Sequence, residues 1–204
     1  TSITENGRAS YPLSSIKGFH KDGFVDIHPK NIIMLTCDAF GVLPPVIKLN
    51  TQEAIEQFVL GYTAKVAGTE KGVRSPKATF SPCFGAPFMP LHPKEYGRIL
   101  KEKIESHNVA CWLVNTGWTG GPYGTGKRIP ISITRKIIDG IHDRSLHSAA
   151  TFKHKYTGFT VPAVSKDIIP ASILHPESGW KNIKEYEKKV ESLMKQFSEK
   201  LKNV

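Results

Sequence analysis

Much that would settle the class of this 204-residue chain is missing from it. No apolar run approaches the roughly 18 residues that a membrane-spanning helix needs, so no membrane partner is expected. No charged-then-apolar leader is visible, and the chain opens on Thr1 rather than Met, which leads us to expect an internal position of a longer protein. Cysteine is scarce: Cys37, Cys83 and Cys111 form no CxxC pair and cannot all be bridged. Cys37 and Cys111 sit in apolar runs and read as buried small hydrophobes in a reducing compartment. The eight histidines show no HxxxH or HExxH spacing, so no metal ligand is expected among these residues. No complete GxxxxGK[ST] occurs, and no internal repeat or low-complexity linker.

What is present is positive charge. The formal net charge is +10, which attracts anions: nucleic acid, anionic membrane, or phosphate and carboxylate metabolites. Part of it lies toward the C-terminus, where Lys184, Lys188, Lys189, Lys195, Lys200 and Lys202 alternate with Glu185, Glu187, Glu191 and Glu199. That mixture reads as a solvated helix face, and no motif of the common nucleic-acid modules appears. No nucleic-acid partner is expected.

The apolar runs Asn31–Thr36 and 109–114 have the composition of strands covered on both faces. Asn50 with Glu53 marks a helix start, followed by an apolar stripe of Ala54, Ile55, Phe58, Val59 and Tyr62. Gly68 and Gly72 bracket a turn. Residues 78–89, broken by Pro82, Gly85 and Pro87, read as short extended pieces. A second helix follows Pro93, with Tyr96, Ile99, Leu100 and Ile104 on one face. Helix signals resume from Thr134, and residues 149–169 read as edge strands or extended coil. The last helix, about 182–202, carries Tyr186, Val190, Leu193, Met194, Phe197 and Leu201 on one side. Strands alternating with helices predict an α/β fold, a mixed sheet with flanking helices.

The stretch from Asn115 to Arg128, NTGWTGGPYGTGKR, draws attention first. Gly121 to Lys127 spells the first seven positions of a phosphate-binding loop, but Arg128 stands where Ser or Thr would hold Mg²⁺. Pro130 falls where that motif's helix should begin. A magnesium-chelating loop is therefore not expected. Glycines let a backbone approach a flat base or a phosphate, Lys127 and Arg128 add charge, and Ile129 offers an apolar surface for a purine. Arg8, near a turn, has the guanidinium fork that matches phosphate or carboxylate.

The segments TENGRASYPL (4–13), MLTCDAFGVLPPVIKL (34–49), GYTAKVAGTEKGV (61–73), FSPCFGAPF (80–88) and LVNTGWTGGPYGTGKRI (113–129) resemble, in family order, the ATP-dependent phosphoenolpyruvate carboxykinases. Residues from about 150 onward match more loosely. The resemblance implies that residues 1–204 form the C-terminal, ATP-binding lobe of that fold. It implies a reaction between oxaloacetate and ATP giving phosphoenolpyruvate, ADP and CO₂, with Mg²⁺ and usually Mn²⁺. Decarboxylation would produce an enolate whose oxygen attacks the γ-phosphorus, a step governed by positioning and charge neutralisation. By the same resemblance Arg8 bridges the γ-phosphate and the substrate, Arg128 and Ile129 flank the adenine, and Thr134 contacts the nucleoside. The family's phosphate loop, its metal-binding side chains and its substrate-binding Arg and Tyr belong to an upstream lobe, expected as the partner of this one. The chain alone is then expected to be inactive, and cytoplasmic by default. The alternative reading is a free-standing nucleotide-binding module without catalysis.

Overall fold

The computed structural model describes residues 9–21, 27–65, 75–165 and 168–203. Arg8 and the turn around Gly68 and Gly72 lie outside the described residues. In chain order the elements are β1 (Asn31–Thr36), β2 (Val46–Leu49), α1 (Thr51–Leu60), β3 (Tyr62–Lys65), β4 (Lys77–Phe80), α2 (Pro93–His107) and β5 (Ala110–Asn115). They continue with β6 (Trp118–Thr119), β7 (Lys127–Arg128), α3 (Ile131–His142), α4 (Ser145–Ser148), β8 (Thr151–Lys153), β9 (Thr160–Pro162), α5 (Ala171–Leu174) and α6 (Ile183–Lys202). The principal sheet has the order β1-β5-β2-β9-β8, while β3 pairs with β4 and β6 with β7. Among the described residues only β1 and β5 run parallel in it; β5–β2, β2–β9 and β9–β8 are antiparallel. The fold is thus the mixed α/β sheet with flanking helices that the alternation of patterns indicated.

Strand β5 explains its own composition. Cys111 and Leu113 point into one core, with Tyr186, Val190, Leu193 and Phe197 of α6, and Trp112 and Val114 into the other, with Ile133, Ile137 and Ile141 of α3. Alternate side chains leave opposite faces, so a strand sandwiched between two helical layers must be apolar throughout. The similar run in β1 has a different fate. It is the edge strand, and Leu35 remains 56 % exposed. The expected cover on both faces is there in part: Ile32 and Met34 pack against the α6 core and Ile33 against the α3 core, while Leu35 stays open.

Helix α1 starts as its sequence dictates. Asn50 Oδ1 accepts the Glu53 N–H at 2.9 Å and Glu53 Oε2 accepts the Asn50 N–H at 2.9 Å, a reciprocal cap of the kind worth about 1 kcal/mol. It ends at Gly61 in the left-handed region (φ 54°), so Tyr62 is not the tail of its apolar stripe but the first residue of β3. In α2 the buried line is Gly97 and Ile104, with Leu100 partly covered, whereas Ile99 is 42 % exposed. The missing Cβ of Gly97 is what lets α2 close on α1: a Cβ there would stand 3.1 Å from Ile55 and 3.2 Å from Val59. Beyond β4, residues 82–88 form two 3₁₀ turns rather than extended pieces. The ring of Phe197 meets Tyr62 and Phe80 edge-on at 5.0 and 6.0 Å, joining α6 to the small sheet. Cys37, Cys83 and Cys111 are buried and in no disulfide among the described residues, and burial pushes the Cys111 thiol up to about 11.

Candidate functional site

Because β1 and β5 are parallel neighbours, their carboxyl ends lie side by side, in register from Asn31↔Ala110 to Thr36↔Asn115. Two loops leave there together, residues 37–45 and 116–126. Crevices at such strand ends are where open α/β sheets bind ligands.

The first loop is built around a carboxylate. Asp38 is fully buried. Its Oδ1 accepts the Phe40 N–H (2.9 Å) and the Tyr62 hydroxyl (2.9 Å); its Oδ2 accepts the N–H groups of Val42 (2.7 Å) and Leu43 (2.9 Å). Burial raises its carboxyl above the usual range, against the Leu43, Phe40 and Val42 backbone donors and the Tyr62 hydroxyl, which pull it down. Asn115 binds the two loops to each other. Its Oδ1 accepts from Asp38 N–H (3.0 Å) and Gly117 N–H (2.8 Å), and its Nδ2 donates to Leu43 O (3.0 Å).

The second loop is thereby laid on the first. Trp118 N–H donates to Asp38 O at 2.9 Å and Tyr123 N–H to Ala39 O at 3.0 Å. Two glycines are required at this contact: a Cβ on Gly117 would run into the Asp38 backbone, and one on Gly41 (φ 71°) into the Gly121 carbonyl. The loop is a hairpin, with Trp118 opposite Arg128 and Thr119 opposite Lys127. Its GxxxxGK run therefore spans a turn and its second strand rather than the mouth of a helix. Helix α3 does follow closely, from Ile131 with Pro130 in the capping position. The expected start near Thr134 was three residues late because Pro130 read as a breaker, although its fixed φ suits a helix entry.

The three described site residues differ in what they present. Arg128 is held in one pose: its guanidinium lies 5.1 Å from the Trp118 ring centre, Nε donates to Thr116 O (3.0 Å) and Nη2 approaches Cys37 Sγ (3.7 Å). Ile129 is only 4 % exposed and belongs to the core under α3, with its N–H bonded to Gly117 O at 2.8 Å. Its side chain supports the hairpin from beneath, so the apolar surface expected of it is turned inward. Thr134 is half-buried in the first turns of α3. Arg8 lies outside the described residues. Among the described residues no group of three or more His, Cys, Asp or Glu side chains could hold a metal ion, so these residues do not fit the Mg²⁺ or Mn²⁺ that the resemblance implies.

A cleft of about 1150 Å³ opens beside the hairpin. Gly120, Gly121 and Arg128 form one wall, and Trp180, Glu185 and Lys188 belong to the other. Trp180 is pinned by its indole N–H to Gly41 O at 3.0 Å, so the 37–45 loop supports both walls. Behind it, buried His154 accepts at Nδ1 from Thr157 N–H (3.3 Å), which places its proton on Nε2, 3.1 Å from Glu177 Oε2. Neither Asp38, Asn115 nor Trp180 was singled out from the sequence. The only available signal was an aspartate inside an apolar run, MLTCDAFGV.

The family model for phosphoenolpyruvate carboxykinase matches residues 1–170. The chain belongs to the ATP-dependent phosphoenolpyruvate carboxykinase family. Proteins named Phosphoenolpyruvate carboxykinase (ATP) from Sinorhizobium medicae and Mesorhizobium japonicum are 53% and 52% identical to it over 196 residues, 96% of this chain and 36% of each relative. The protein of that name from Methylobacterium radiotolerans is 51% identical over 201 residues, 98% of this chain and 37% of its own length. This carboxykinase chain thus spans little more than a third of the curated relatives it matches. The pairwise matches continue past residue 170, so α5 and α6 belong to the shared sequence as well. Among the described residues no helix is long and apolar enough to cross a membrane.

Proposed function

We propose that residues 1–204 are the C-terminal ATP-binding domain of an ATP-dependent phosphoenolpyruvate carboxykinase and supply one wall of its nucleotide cleft. In the intact protein the reaction would convert oxaloacetate and ATP to phosphoenolpyruvate, ADP and CO₂, in the cytoplasm. Arg128 and the backbone at Ile129 would grip the adenine, and Thr134 would contact the nucleoside. Arg8 would bridge the γ-phosphate and the substrate. The remaining wall, with the phosphate loop and the ligands for Mg²⁺ and Mn²⁺, would come from the part of the protein upstream of this domain.

The observation that carries this reading is the hairpin set on the Asp38 loop at the carboxyl ends of β1 and β5, with Arg128 fixed at its exit. Such a wall offers preorganised backbone and one always-charged guanidinium, which is what binding a purine nucleotide asks of it. Its part in the reaction would be grip rather than bond making. The match to ATP-dependent phosphoenolpyruvate carboxykinases along nearly the whole chain favours this reading over a free-standing module.

Three measurements test the reading. This chain, given oxaloacetate, ATP and Mn²⁺, should show no turnover comparable to an intact carboxykinase; comparable turnover would overturn the division of labour. In the intact enzyme, Arg128→Ala should raise KM for ATP more than it changes kcat, because that contact is common to ground and transition states. Arg8→Ala should lower kcat about 10²-fold, as loss of a preorganised charge does; an unchanged kcat removes Arg8 from the mechanism.

A further inference from the structure

The C-terminal half of α6 lies across α1, and a hollow of about 430 Å³ opens between them. That size falls in the lower part of the roughly 300–1,000 Å³ range of small-molecule pockets. No residue lines both this hollow and the cleft beside the hairpin. Its apolar surface comes from Leu60 of α1, from Met194, Phe197 and Leu201 of α6, and from Phe159 just before β9. The three α6 residues recur at three- and four-residue spacing, so one face of the helix supplies them.

One polar side chain is buried in this surface. Gln57 is 4 % exposed and stands among the buried Ala54, Val59 and Leu60 of the same helix. Among the described residues no group hydrogen-bonds its carboxamide. Its polar neighbours in the lining are engaged: Glu56 Oε1 accepts from Gln52 Nε2 at 2.9 Å, and the Thr157 hydroxyl donates to His154 Nδ1 at 2.9 Å. Nor is the amide sealed within the fold. Among the described residues the side-chain polar atom both sealed and unpartnered is His147 Nε2, so the surface that Gln57 keeps opens into the hollow it lines. Buried polar groups almost always find a partner, and an amide that the protein leaves unmet is matched by what enters the hollow. For packing alone an apolar side chain would serve this position better.

The class of ligand follows from the groups around it. A carboxamide donates through its NH₂ and accepts through its oxygen, so its full complement in one small group is a second amide. Glu56 and Lys202 put one charge of each sign at the edge of the hollow, so its field selects for neither an anion nor a cation. We propose that the hollow between α1 and the C-terminal half of α6 is a binding site for a small neutral molecule with an apolar body and one amide head group, held by a reciprocal pair of hydrogen bonds to the Gln57 carboxamide. It goes beyond the nucleotide reading and does not rest on it.

The test is a nuclear magnetic resonance titration of this chain, ¹⁵N-labelled, with benzamide, benzoate and benzamidinium, which share a body and differ in charge. Benzamide should shift the Gln57 side-chain NH₂ resonances saturably, and the two ions should bind at least about threefold more weakly, since each brings an unpaired charge against an apolar surface. Gln57→Leu should weaken benzamide by about fivefold or more, the loss of two hydrogen bonds, with a thermal midpoint no lower than the parent's. The control, Gln196→Leu, changes a glutamine of α6 outside the hollow and should alter affinity less than about twofold. No saturable shift in the parent, equal affinity for the three probes, or undiminished binding in Gln57→Leu overturns the site. A lowered midpoint in Gln57→Leu shows that the amide serves the fold, and it overturns the reading of an unmet group. ATP affinity, which tests the nucleotide reading, should be the same in Gln57→Leu as in the parent, so either idea can fail while the other stands.

Discussion

Replacing Asp38 separates a carboxylate that merely fills space from one that builds the site. Its two oxygens take four donors in a place with no access to water. Asp38→Ala strands the N–H groups of Phe40, Val42 and Leu43 and the Tyr62 hydroxyl. A buried donor without a partner costs about 1–3 kcal/mol, so four of them amount to on the order of 4 kcal/mol or more. That is a large share of the roughly 5–15 kcal/mol that holds a domain folded. Asp38→Asn is more discriminating. The amide oxygen can keep Val42 and Leu43, the new NH₂ can donate to the Tyr62 hydroxyl, and only the Phe40 N–H is left facing another donor. The expected cost falls to one lost partner, about 1–3 kcal/mol. Tyr62→Phe, which removes one donor together with its hydroxyl, should cost about 1 kcal/mol. Urea unfolding followed by far-ultraviolet circular dichroism ranks the three. Should the alanine variant lose less than about 1 kcal/mol, or the asparagine variant lose as much as alanine, the loop is not organised by this carboxylate.

Glycines of the same hairpin should split into two classes. Gly117→Ala forces a Cβ into the Asp38 backbone and should cost on the order of 3 kcal/mol, whereas at Gly124 (φ 89°) nothing lies within 4 Å and only the left-handed backbone is penalised, by about 1 kcal/mol; similar losses in urea unfolding would remove the packing argument. His154 gives a pH dependence. Burial lowers its pKa below 6.5, outweighing the upward pull of Glu177, so the folded protein takes up this proton less readily than the unfolded chain. Its contribution is whole above about pH 6.5 and is lost as the pH falls below that, by at most about 1.4 kcal/mol per pH unit. Comparing stability at pH 7.5 and 5.5 in the parent and in His154→Gln isolates it; a variant with the parent's slope shows that some other group is responsible.

Two kinds of information were legible in the residue order. Local chemistry placed the α1 start at Asn50 and Glu53, the last helix at about 182–202, the doubly covered β5 and the buried Cys37 and Cys111, because caps, periodicity and uninterrupted apolar runs act between near neighbours. The missing hydroxyl at Arg128 likewise argued against a magnesium-chelating loop, and the backbone there is a hairpin. The exposed edge at Leu35, the inward-facing Ile129 and the assignment of Tyr62 to a strand depended on which strand lies beside which. That is a matter of contacts between residues tens of positions apart.

The order of residues by itself determined the family, the layered α/β character and the glycine-rich stretch as a candidate grip. Only the tertiary structure decided that Asp38 is the keystone beneath that stretch and that α6 faces it across a cleft. A carboxylate's meaning depends on whether water or four donors surround it, and a glutamine on a helix becomes a site only when a second helix buries its amide without a partner. Neither condition is written in any local window of the chain.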